Sequence, residues 1–169
     1  MKIILITLCL LLFPIQPALS DSYLDNFCSQ NVDPAQYKEK DVEKLMTNLK
    51  NKDVNVRAMA ADTLSCLGVL ASPAVPLMIE LFNEPNGEAR LNMIAAAAHL
   101  GKPAVPALTE ALYSKDKEIR RGACIALGKI GSQASSAIPA LKKLLAEPGY
   151  DVSLAAERAI KRIMIHNKK

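Results

Sequence analysis

The chain has 169 residues, a formal net charge of +4, 50% apolar residues and only 4% aromatic ones. The charge excess is mild, Lys and Arg are scattered and there is no Trp, so neither a basic arm nor an aromatic stacking platform for nucleic acid is visible. A core this poor in aromatics has to be built from Ala, Leu, Ile and Val, which suits closely packed helices.

Residues 1–20 read as a secretory signal. Lys2 gives a positive start, Ile3 to Phe13 form an apolar run, Pro14 and Pro17 break it, and the small residues Ala18 and Ser20 suit cleavage after Ser20. The run is shorter than the ~20 apolar residues that span a bilayer, and no later span is expected. Leu8 before Cys9 argues against a lipoprotein signal. The mature chain is therefore expected to be soluble and exported, either periplasmic or secreted. Cleavage removes one Lys and no acid, which lowers the net charge to +3. About 150 residues remain, the length of one ordinary domain.

Residues 21–38, "DSYLDNFCSQNVDPAQY" and one Lys, form an N-terminal cap expected to fold over the first repeat. Residues 39–165 then alternate two helical patterns. The first pattern begins with Val42, Leu45, Met46 and Leu49. It returns with Leu77, Ile79, Leu81 and Phe82, then with Leu108, Ala111 and Leu112, and last with Leu141, Leu144 and Leu145. "PAVP" precedes two of these segments, at Pro73 to Pro76 and Pro103 to Pro106, with a weaker version around Pro139. Proline in an opening turn costs little, because the first N–H groups of a helix have no partner within it.

After each first helix comes a polar break, and behind it a second helical pattern. Val56-Arg57, Ala89-Arg90, Ile119-Arg120 and Val152-Ser153 fall at intervals of 33, 30 and 33 residues. Asp53, Asn86 and Asp116 stand four residues before each Arg, suited to cap the second helix. Eleven residues after each Arg stands a Gly, at 68, 101 and 131, with Met164 in that place in the last copy. Positions three, seven and ten after the Arg are apolar in all four copies, from Ala60, Leu64 and Leu67 to Ala156, Ile160 and Ile163, and lie on one helix face. Such pairs bury these faces only by stacking, so the expected fold is all-α: an α-solenoid of about four antiparallel helix pairs, followed by a basic tail at residues 166–169.

"DKEIRRGACIALGKIG" followed by "AIPALKKLL" resembles the HEAT repeat family in its short PBS-lyase HEAT-like form. That form shows Val-Arg, an Ala-rich stretch, Leu-Gly and then Ala-Ile-Pro-Ala-Leu. The third copy matches closely, the first two have Leu-Gly displaced, and the fourth has Ser153 for Arg; together they cover about Glu39 to Ile165. The resemblance specifies a fold and leaves function to the site.

Some relatives carry His-Glu pairs and a di-iron centre, but here His99 and His166 are followed by Leu100 and Asn167, so no such site is expected. Bilin lyases share the repeats but need a longer array and another compartment. No nucleophile with its base stands out, so no catalytic residues, metal or cofactor are expected. The resemblance and the missing chemistry point to a binding or scaffolding module with a protein partner. An accessory subunit or a lyase- or oxidoreductase-like protein handling a chromophore or redox cofactor is the alternative.

In the aligned frame Cys66, His99, Lys129 and Arg162 stand nine after the Arg position, and Asp62, Ala95, Ile125 and Arg158 stand five after it. Second helices line the concave surface of HEAT-like solenoids, so the resemblance implies a polar stripe through Asp62, His99, Lys129, Arg158 and Arg162. Its competing reading is an ordinary solvated face. Cys66 with His99 lacks the third ligand of a zinc site. Three cysteines remain after cleavage: Cys124 reads as a small packing residue, and Cys28 with Cys66 is the expected pair if a bridge forms.

Overall fold

A computed structural model of the chain describes residue 28, residues 30–148 and residues 150–166. The expected signal at residues 1–20 lies outside the described residues, as do the start of the expected cap and the tail from residue 167. The described residues from Glu39 onward form eight α-helices in four consecutive pairs: α1 (Glu39–Asn48) with α2 (Val54–Cys66), α3 (Val75–Glu80) with α4 (Gly87–His99), α5 (Val105–Ala111) with α6 (Lys117–Ile130), and α7 (Ile138–Leu144) with α8 (Tyr150–His166). The result is an all-α solenoid, since each second helix packs beside the next, α2 on α4, α4 on α6 and α6 on α8.

Local chemistry sets the boundaries. Asp53 accepts from the N–H of Asn55 at 2.8 Å, Asn86 from those of Glu88 and Ala89 at 3.0 and 3.1 Å, and Asp116 from that of Glu118 at 2.8 Å. Each cap satisfies a donor at a helix start, worth ~1 kcal/mol. The repeated proline phrase proves to straddle two elements: Pro73 and Pro103 sit in 3-10 turns, whereas Pro76, Pro106 and Pro139 occupy the first turns of α3, α5 and α7. Between pairs the chain reverses at Gly101 and Gly131, whose φ of +67° and +70° lies in the left-handed region that a Cβ disfavours.

Ten of the twelve aligned apolar positions are buried, and Ile130 and Ile160 are half-buried. Leu64, Ala97, Leu127 and Ile163 are completely enclosed. The core is continuous from Val42 to Ile163 and is mostly Ala, Leu, Ile and Val, with Phe82 the one fully buried aromatic among the described residues. Small residues let helix axes approach closely. A Cβ at Gly128 of α6 would stand 3.0 Å from the Cα of Ala159 on α8.

The Arg of each of the first three copies donates to a carbonyl of the loop before its helix. Arg57 donates to the carbonyls of Asn51 and Lys52 at 2.8 and 3.1 Å, and Arg120 to those of Ser114 and Lys115 at 2.8 and 3.0 Å. The same guanidiniums reach a Glu in the next pair, Arg57 to Glu84 at 3.5 Å and Arg120 to Glu147 through Nε at 3.0 and 3.1 Å. One side chain thus closes its own loop and ties it to the following one.

Candidate functional site

The second helices bring their aligned columns to one side of the molecule, but exposure along the columns changes from one end to the other. Asp62 and Ala95 are buried at 6% exposure, Ile125 is half-buried and Arg158 is exposed. In the neighbouring column Cys66, His99 and Lys129 are half-buried and Arg162 is exposed. A uniform polar stripe is therefore not what the fold presents.

The N-terminal end is occupied by the chain itself. Cys28 and Cys66 form a disulfide with Cα atoms 5.3 Å apart, which fastens the cap to the last turn of α2. The Nε2 of His99 lies 3.7 Å from the Cys28 sulfur, so the cap reaches α4 as well. Cys66 is then no thiolate ligand, and among the described residues no three His, Cys, Asp or Glu side chains gather as a metal site.

The expectation that Asp62 lies on an open binding stripe needs correction. Its carboxyl is buried one turn before Cys66, and its Oδ1 has no hydrogen-bond partner among the described residues. Loss of hydration pushes its pKa up to about 7, because burial penalises the charged form. Spacing placed Asp62 in the correct column; the helix face it occupies is internal to the fold.

The open part of the second-helix side lies at α6 and α8. A groove of about 340 Å³ runs between them, with Ile125, Leu154 and Ala155 among its apolar lining. Arg121, Arg158 and Arg162 also line it, and Asp151 is its one carboxylate. Arg121 is steered by Glu118 on its own helix, at 2.7 Å. Cys124 is fully buried beneath, and burial pushes its thiol up to about 12. It is a packing residue and a poor nucleophile at neutral pH.

Two features escaped the sequence reading. Arg121 and Asp151 stand in other columns of the repeat frame, and only the crossing of α6 and α8 places them beside Arg158 and Arg162. The bridging role of the repeat Arg was readable in principle, since Glu84 and Glu147 each stand 27 residues after their Arg.

Among the described residues no helix is long and apolar enough to cross a membrane. No curated protein matches the chain. Among solved structures, an engineered protein from the Northeast Structural Genomics Consortium is 20% identical, with a TM-score of 0.41, over 86% of this chain and 80% of its own. A second engineered protein from the same consortium is 21% identical with a TM-score of 0.43; the match covers 87% of this chain and 41% of that one. Residues 74–161, more than half of the chain, match the family described as HEAT repeats, a fold suited to protein interaction and scaffolding. The match covers most of the last three helix pairs, and a family match over more than half of the chain settles the assignment: the chain belongs to the HEAT repeat family.

Proposed function

We propose that the protein is an exported binding or scaffolding module that captures a protein partner on the open second-helix side and does so without catalysis. The observation that carries this reading is the row of packed second helices, closed by the tethered cap at α2 and α4 and open at α6 and α8. Stacked repeats use such extended surfaces for recognition because successive helices present side chains in register. Lys129, Arg158 and Arg162 remain in the proposed contact surface, His99 marks its border with the cap, and Asp62 is left out.

Export is supported by two independent features. Residues 1–20 have the charge, apolar run and small residues of a cleavable signal. A disulfide such as Cys28–Cys66 persists in oxidising compartments and is rare in reducing ones. The non-catalytic reading rests on the poor nucleophilicity of the buried Cys124 thiol and on the half-buried His99 lying beside a disulfide sulfur.

The test is chemical cross-linking of the full-length chain in its native host, with the captured protein identified by mass spectrometry and the chain's own N-terminus sequenced. The expected result is a defined protein partner competed by untagged chain, and a mature form starting at Asp21 in the exported fraction. Absence of any saturable protein partner, or steady turnover or a bound chromophore in the purified chain, overturns the binding reading.

A further inference from the structure

The positive charge of this chain is segregated along the solenoid. Among the described residues, those from 120 onward hold eight Lys and Arg against three acids, whereas those up to 119 hold ten against twelve. The excess therefore sits at the end where the second-helix side is open, and it converges on one feature. The groove between α6 and α8 is lined by three guanidiniums and one carboxylate around apolar Ile125, Leu154 and Ala155, with Arg121 also paired to Glu118 on its own helix.

We infer that this groove is the recognition site for an acidic segment of the protein partner, one whose carboxylates meet Arg121, Arg158 and Arg162 while an apolar side chain enters between α6 and α8. The inference rests on the binding-module reading above and names the chemistry of the partner. Arginine suits this task because its planar fork gives paired hydrogen bonds to a carboxylate and keeps its charge at any physiological pH. At about 340 Å³ the groove is near the lower limit of small-ligand pockets, room for one or two side chains and not for a folded domain. Its close floor is built in: Gly128 lets α8 approach α6, since a Cβ there would stand 3.3 Å from the Cβ of Ala159 and 3.7 Å from Cδ of Arg162. Glu118 holds Arg121 at 2.7 Å from its own helix, so that guanidinium is partly ordered before a ligand arrives. Asp151 sits in the same groove and disfavours a uniformly anionic strand, which favours a mixed acidic and apolar segment over a phosphate backbone.

The experiment uses the full chain with its disulfide intact and a fluorescent peptide composed of Glu and Leu, read by anisotropy. Arg158→Glu with Arg162→Glu is compared with Lys142→Glu with Lys143→Glu on α7, which changes the net charge equally outside the groove. Helical circular dichroism establishes that both variants fold. The expected result is a loss of affinity of about tenfold or more for the groove variant and less than about twofold for the α7 variant, with wild-type affinity falling as salt rises. Equal losses in both variants, or tighter binding of a single-stranded oligonucleotide than of the peptide, overturn the inference. Capture of the native partner by the groove variant at wild-type yield also overturns it while leaving the module reading intact. Peptide binding confined to the groove without any native protein captured by wild type overturns the module reading instead.

Discussion

Gly122 of α6 lies directly against Phe82: a Cβ built on Gly122 would stand 2.6 Å from Cδ2 of the ring and 3.0 Å from the Phe82 Cβ. Phe82 is completely buried, so its ring has no free space to swing into. Gly122→Ala therefore sets a helix-propensity gain of about 1 kcal/mol against overpacking worth ~1–3 kcal/mol. The expected outcome is a net loss of stability in urea unfolding, largely relieved when Phe82→Leu is added. Independent, additive effects of the two substitutions would show that the contact does not limit the approach of these elements.

Arg120 donates to two loop carbonyls and to Glu147, and both partners of the ion pair are mostly shielded, at 17% and 18% exposure. Glu147 holds the Arg120 pKa above its ordinary value, chiefly through the hydrogen bond between them. Arg120→Met should cost roughly 2–3 kcal/mol, the range for hydrogen bonds to a charged group plus orphaned carbonyls. A double-mutant cycle with Glu147→Gln should give clear coupling. The longer Arg90–Glu118 contact, at 3.7 Å, should give much less, because an ion pair without close hydrogen bonds contributes little.

The Asp62 carboxyl is raised from 3.8 to about 7 by burial. Its ionisation is unfavourable only in the folded state, so the cost is absent below about pH 4, grows by ~1.4 kcal/mol per pH unit and is complete above about pH 7. Asp116 works in the opposite sense: the Glu118 N–H lowers its pKa, so it stabilises the fold at neutral pH and loses that contribution in acid. Asp62→Asn is expected to stabilise the protein by a few kcal/mol at about pH 8 and hardly at all at about pH 4. Equal unfolding free energies for wild type and variant at the higher pH would place the carboxylate in a hydrated setting.

The disulfide joins residues separated by 38 positions, and closing a loop of that order contributes ~3–4 kcal/mol by restricting the unfolded chain. Cys28→Ser and Cys66→Ser are each expected to lower the melting temperature of oxidised protein, and the double variant to melt like either single one. Tryptic mapping checks the pairing directly: the peptides carrying Cys28 and Cys66 should separate only after reduction. Additive losses in the double variant would mean that the two positions act separately.

The repeat frame was legible without coordinates, because helix pairs that cannot bury their faces alone must repeat their apolar pattern at fixed spacing. Asp53, Asn86 and Asp116 were readable as caps, and Gly101 and Gly131 as turn residues, since each answers to backbone geometry within a few residues of itself. What spacing could not supply was exposure. Asp62 and Arg158 occupy the same column of the frame, yet one is buried and the other open, because periodicity fixes an angle around a helix and not what lies over that face. The Cys28–Cys66 pair was already expected from the cysteines and their compartment, whereas the meetings of Arg121 with Arg158 and with Arg162 are long-range packing outcomes. They depend on how closely α8 approaches α6 at Gly128 and Ala159, a distance set by the combined volumes of side chains from several helices, which no local stretch of sequence contains.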